Sequence, residues 1–231
     1  MYCTYLLTLI LFPATADEIR GNVKIFNMKA KNDMNYSNPL DILYSTAESI
    51  FLRMMKKSQE KYGNIINVAP QGHHQGVPVQ RTLNMETMIK RNAISCIQYI
   101  ENETLRERFM NCKKRFQAQG IDDKERLVFH GTNTKNLDSI MEYGLLLSKC
   151  KRFARGYGIY FSEFPEVSKY YGANLLLVRV MLGRQYQGTQ HKIPDGFDSK
   201  LVEPNSDGNC WGIIVENEEQ ILPAFNIKVN W

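Results

Sequence analysis

Beyond Gly120 the chain changes texture, and that change limits the folds open to it. Short apolar runs there alternate with short helical patterns and turns. Leu127-Val128-Phe129 and Gly158-Ile159-Tyr160-Phe161 read as strands. Residues 175–182 are rich in branched side chains and read as a buried strand, and residues 211–216 and 224–229 as two more. Between them, residues 136–143 read as a helix stopped by Gly144, and residues 165–171 as a short helix opened by Pro165. Strands of mixed order with helices packed beside them predict an α+β fold.

The first half reads differently. Residues 17–38 are polar and weakly patterned. From Pro39, Leu40, Leu43, Ala47, Ile50, Phe51, Met54 and Met55 recur at helical spacing, which predicts a helix to about Tyr62 with Gly63 as its stop. Its Met and Phe stripe is a core face. Residues 64–79 hold Pro70, Gly72, Gly76 and Pro78 and read as a loop, and the pair His73-His74 inside it reads as loop surface. Residues 85–119 read as helical, with an interruption near Asn102. Ile94, Ile97, Ile100, Leu105, Phe109 and Phe116 supply the apolar positions, and Arg106 to Arg108 and Lys113 to Arg115 a solvated face.

The net charge is +5, which suits a mildly basic surface or attraction for an anionic ligand such as a dinucleotide or nucleic acid. Nucleic acid is thus admitted as a partner but not indicated. The five cysteines, Cys3, Cys96, Cys112, Cys150 and Cys210, show no CxxC spacing, so no metal site is expected. The apolar run Tyr5 to Phe12 is too short to span a bilayer, and no stable membrane insertion is expected. Ala14-Thr15-Ala16 after it resembles a cleavage site, so residues 1–16 have the layout of a secretory signal peptide, although no Lys or Arg precedes the run. The other readings are a buried strand or helix at the edge of the domain, or an unrepresentative start to the chain.

Three motifs carry the chemistry. They are Leu127-Val128-Phe129-His130-Gly131-Thr132, then Gly156-Tyr157-Gly158-Ile159-Tyr160-Phe161-Ser162, then Ser168-Lys169-Tyr170-Tyr171. Each resembles an element lining the NAD pocket of the poly(ADP-ribose) polymerase and ADP-ribosyltransferase superfamily, and their order and spacing resemble that family too. Ile97-Gln98-Tyr99-Ile100-Glu101-Asn102, Leu177 to Gly183 and Gln220 to Ile227 extend the resemblance, which covers residues 85–231. It implies a catalytic domain over residues 85–231 with a split mixed and antiparallel sheet flanked by helices. A helical or irregular region fills residues 17–84 ahead of it.

The resemblance also implies NAD as the substrate, bound by His130, Gly131, Thr132, Tyr160, Ser168 and Tyr171, with His130 and Tyr160 as the catalytic pair. Tyr171 would stack on the flat nicotinamide, with Tyr160 on the other side of the pocket. The backbone of Gly131 can supply the donor and the acceptor that a carboxamide needs, and Ser168 a hydroxyl. His130 would bond the adenosine ribose, with Thr132 along the same side. Lys149, Lys151, Arg152 and Arg155 reach the pyrophosphate or form a solvated basic turn.

One position departs from the family. Anchoring on Gln220 and Pro223 places Gly212 where the family glutamate stands, and Glu216 is about 13 Å further along an extended strand. Glu218 and Glu219 fall in the hairpin turn. Mono-ADP-ribosyl transfer to protein acceptors is therefore expected, or else a catalytically silent NAD-binding or interaction module. The family implies cytoplasm or nucleus, and the first sixteen residues imply secretion.

Overall fold

The branched run around Val178 forms the penultimate strand of a six-stranded antiparallel sheet. The protein is seen in a computed structural model that describes residues 18–20, 22–28, 39–62, 94–151, 153–202 and 212–229. In chain order the strands of this sheet are β1 (Glu18–Arg20), β2 (Val23–Met28), β3 (Ile94–Asn102), β4 (Glu125–Thr132), β6 (Asn174–Met181) and β10 (Ile221–Val229). Their spatial order is β1-β2-β3-β10-β6-β4. A second, mixed sheet has the order β5-β9-β8-β7, from β5 (Ile159–Phe161), β7 (Gln185–Tyr186), β8 (Ser199–Val202) and β9 (Gly212–Val215). The helices are α1 (Pro39–Tyr62), α2 (Glu103–Ala118), α3 (Leu137–Tyr143) and α4 (Pro165–Ser168). The fold is α+β with a split sheet, as expected.

Apolar side chains cover both faces of the large sheet. On one face, Ala47, Ile50, Phe51 and Met55 of α1 pack on Phe129, Leu175, Leu177, Phe225 and Ile227. The rings of Phe51 and Phe129 meet edge to face at 6.1 Å. On the other face, Val128, Leu176 and Val178 join Ile159, Phe161, Ile213 and Val215 of the second sheet and Leu137, Ile140 and Met141 of α3. Leu105, Phe109, Cys112 and Phe116 of α2 close the core on Met181 and Leu222.

The helical reading of residues 85–119 is corrected over 94–102, which form β3. Ile97 and Ile100 lie three apart, a helical spacing, yet they point to opposite faces of the sheet and join different core clusters. A strand covered on both faces has no clean alternation to read. The interruption near Asn102 is real: Asn102 caps α2, its Oδ1 accepting from Leu105 N at 3.1 Å. Its Nδ2 donates to the carbonyls of Met141 and Glu142, both at 2.9 Å, and so ties α3 to that junction.

The helical or irregular reading of residues 17–84 is likewise corrected over β1 and β2. Those strands extend the sheet, and β2 pairs with β3 from Val23↔Asn102 to Met28↔Ile97. Gln98 of β3 bonds Asn27 on one side at 2.8 Å and Asn226 of β10 on the other at 2.7 Å. β7 and β8 were not anticipated; both are too short to show a period. The helix expected from Pro39 runs to Tyr62. The expected leader at 1–16, the loop at 64–79 with His73-His74, and the stop at Gly63 lie outside the described residues.

Candidate functional site

The free edge of β4 organises the site. One edge of β4 pairs with β6, and beyond it β4 is the last strand of the sheet. On its outer edge, Phe129 N–H donates to Ser162 O at 2.7 Å and Ser162 N–H donates to Phe129 O at 3.0 Å. Backbone groups point to alternate edges along a strand. The N–H and C=O of Gly131, two residues on, therefore face outward past that bridge, as a donor and an acceptor side by side. They have no backbone partner on that side among the described residues.

Gly131 is fixed by close approach. A Cβ there would sit 1.7 Å from the carbonyl oxygen of Ser168 and 3.2 Å from Cβ of Tyr171. The absent side chain is thus replaced by α4 and the 3-10 turn Lys169–Tyr171, which lie directly on the strand. That contact seats Ser168 and Tyr171 beside the open edge. Ser168 is buried, and its hydroxyl donates to Phe129 O at 3.0 Å. The hydrogen is committed, but the oxygen keeps lone pairs to accept with. Tyr171 is 54% exposed, so a ring face beside Gly131 meets solvent.

His130 lies half-buried on β4, and its Nδ1 is 2.9 Å from the carbonyl oxygen of Tyr160. Only a protonated Nδ1 can bond a carbonyl, so in the neutral ring Nε2 holds a lone pair and accepts. Burial pushes the imidazole below its ordinary 6.5, and the bond to Tyr160 O opposes that only in part. The ring is neutral at pH 7. Thr132 is buried, with Oγ1 accepting from Asn136 Nδ2 at 3.3 Å.

Tyr160 stands on the face of β5 opposite the buried Ile159 and Phe161. Burial raises its phenol above the ordinary value of 10.0. The hydroxyl donates to Gly156 O at 2.5 Å and accepts from Arg155 N–H at 2.9 Å. With both capacities engaged by the preceding loop, Tyr160 offers the cleft its ring. The sharp entry into β5 needs Gly158: its φ is 140°, and a Cβ would meet Cγ2 of Ile214 at 2.3 Å. Lys149, Lys151 and Arg155 are exposed on the same loop, and Arg152 lies outside the described residues.

Gly212 starts β9, opposite Val202 and next to the pairing of Ile213 with Phe161. A Cβ there would be 3.6 Å from Cβ of Val202 and 3.8 Å from Phe161 O, so a side chain fits. Among the described residues, no neighbouring carboxylate takes the position. Glu216 accepts from Ile193 N–H at 2.8 Å, Glu218 from Leu147 N–H at 2.6 Å, and Glu219 pairs with Arg115. Glu218 and Glu219 lie in the 3-10 turn before β10.

The structure thus brings His130, Gly131, Tyr160, Ser168 and Tyr171 around one edge, with Thr132 behind it. A match to the poly(ADP-ribose) polymerase catalytic domain spans residues 77–201, more than half of the chain. The chain belongs to that family. The family is one of NAD-dependent ADP-ribosyltransferases, and the matched span holds all six of those residues but ends before Gly212. No curated protein matches the chain. Among the described residues of this family member, no group of three or more His, Cys, Asp or Glu is placed to hold a metal ion. No described helix is long and apolar enough to cross a membrane. Cys112 and Cys150 are free thiols, while Cys3 and Cys210 lie outside the described residues.

Sequence reasoning missed Lys200, which is buried behind the loop that holds Tyr160. Its Nζ donates to Arg155 O at 2.8 Å and to Gln190 O at 2.6 Å. One lysine in a four-residue strand reads as a solvated side chain, so no sequence signal marked it.

Proposed function

We propose that this chain is a mono-ADP-ribosyltransferase that binds NAD at the open edge of β4 and transfers ADP-ribose to a protein side chain. The outward N–H and C=O of Gly131, beside Tyr171, carry the reading. A carboxamide matches that pair, with its oxygen on the N–H and its NH₂ on the C=O. The Ser168 oxygen adds a second acceptor for the NH₂. Tyr171 and Tyr160 supply ring faces for the nicotinamide, and stacked aromatic pairs of this kind contribute about 0.5–1.5 kcal/mol each beyond area burial. Nε2 of His130 accepts from a ribose hydroxyl, and Thr132 lines that side.

In the reaction, the bond from ribose C1′ to the nicotinamide nitrogen breaks and its electron pair leaves with nicotinamide. An acceptor heteroatom bonds C1′ and loses its proton. Positive charge builds on the sugar, as in glycoside cleavage. The residues named hold the leaving group and fix the exposed face of the sugar, which is catalysis by positioning. His130 and Tyr160 serve in this way as the catalytic pair, not as proton carriers.

Gly212 supports mono-transfer over chain elongation, because glycine carries no carboxylate at the position where the resemblance puts the family glutamate, which would orient a sugar hydroxyl. The same glycine favours the second reading, a silent NAD-binding or interaction module. Labelled NAD separates the two. Transfer of single ADP-ribose units to protein, lost in His130→Ala, supports the enzyme. Saturable NAD binding with neither transfer nor nicotinamide release supports the silent module. Mass spectrometry of the mature N-terminus tests the leader: a chain beginning at Asp17 supports secretion, and an uncleaved one supports the cytoplasmic or nuclear reading.

A further inference from the structure

Lys200 sits on β8 with its side chain buried, paired in register with Ile214 of β9. No carboxylate pairs with its ammonium among the described residues; its partners are two main-chain carbonyls from separate loops, Arg155 O at 2.8 Å and Gln190 O at 2.6 Å. We propose that Lys200 is a positioning residue for the NAD cleft, pinning residues 153–157 to residues 190–191 and so fixing the Tyr160 ring. The role rests on the NAD reading given above, and the pin itself stands on geometry alone.

The linkage runs through Arg155. Its carbonyl accepts from Lys200, and its N–H donates to the Tyr160 hydroxyl at 2.9 Å. That hydroxyl donates in turn to Gly156 O. Two further bonds join the same loops: Tyr157 N–H to His191 O at 2.7 Å, and His191 Nε2 with Phe153 O at 3.1 Å. The first of these joins two neutral main-chain groups. The two Lys200 bonds are charge-assisted and shielded from water, and such bonds are the stronger kind. Burying an ammonium against two carbonyls is costly, and burial pulls the amine below its ordinary value of 10.5. A methionine would fill the same space without that cost. What the charge adds is a fixed separation between the two loops.

The test compares wild type with Lys200→Met, which keeps the bulk, and Lys200→Gln, which is shorter and uncharged. Amide hydrogen exchange and NAD titration are read on each. The expected result is faster exchange at the Arg155 and Tyr157 amides, by about tenfold or more, with β6 amides unchanged. NAD affinity falls by a similar factor, and Lys200→Arg, which can still donate to both carbonyls, restores exchange and affinity together. Unchanged protection at Arg155 and Tyr157 in both uncharged variants overturns the proposal. So does loss of protection spread evenly over β6, which makes Lys200 ordinary core. Local loosening in a protein whose wild type binds no NAD keeps the pin and sinks the NAD reading instead.

Discussion

At the scale of single residues, the site depends on what each group has left to offer once the fold has used it. His130 has spent Nδ1 on Tyr160 O, so the proposed bond to NAD falls to an unprotonated Nε2. Because burial holds the folded imidazole below 6.5, NAD affinity should be highest at alkaline to neutral pH and weaken as pH falls below 6.5. The stability effect has the same direction. The unfolded chain takes up the proton first, so stability is complete above 6.5 and falls as pH drops toward the lower folded value. A pH titration of NAD binding in parallel with urea unfolding checks both. Gly212 gives a second residue-scale prediction. Since a Cβ meets nothing closer than 3.6 Å, Gly212→Glu should fold with an unchanged or slightly raised melting temperature. It should also lengthen the transferred product if the missing carboxylate is what limits elongation. Single ADP-ribose units from a well-folded Gly212→Glu protein would place the limit elsewhere.

At the scale of elements, Asn102 ends β3, caps α2 and bonds α3 with one amide. Asn102→Ala should cost about 1–3 kcal/mol in chemical unfolding, from the lost cap and the orphaned carbonyls. A cost under 0.5 kcal/mol would mean that water replaces the amide. The capping asparagine was legible in the sequence as an interruption, while the strand before it was not. Both faces of β3 are covered, by α1 on one side and by α3 with the second sheet on the other, so the period-two signal is lost. The helix α1 was legible because only one of its faces is apolar. The three site motifs were legible for a different reason. Each combines a glycine that cannot carry a side chain, or a fixed spacing, with a reactive side chain, as at Gly131 and Gly158. Lys200 has no such marker, because its role comes from loops that are distant in sequence.

At the scale of the whole molecule, the sheet binds the N-terminal strands to the half that carries most of the family match. Removing residues 1–84 would strip β2 from β3 and expose a long unpaired edge, so the shortened chain should lose stability or associate. A monomer of unchanged melting temperature after that truncation would restore a boundary at residue 85. Glu125 ties β4, β6 and α2 together through Arg179 at 2.7 Å and Lys113 at 2.8 Å. Burial acts to raise its carboxyl, but the bonds to Arg179 and Lys113 outweigh it and hold the group below the ordinary 4.5. Its contribution is therefore complete above 4.5 and is lost as pH falls through the lower folded value. Glu125→Ala should cost about 3–5 kcal/mol at neutral pH, because it leaves a largely buried guanidinium unpaired. All of this holds β4 in place, and with it the outward N–H of Gly131. Backbone amide NMR during NAD titration tests that edge most directly. The Gly131 amide should show one of the largest saturable shifts, together with Tyr171, and His130→Ala should weaken the titration. Saturable shifts confined to another part of the protein, or none at millimolar NAD, would contradict the account.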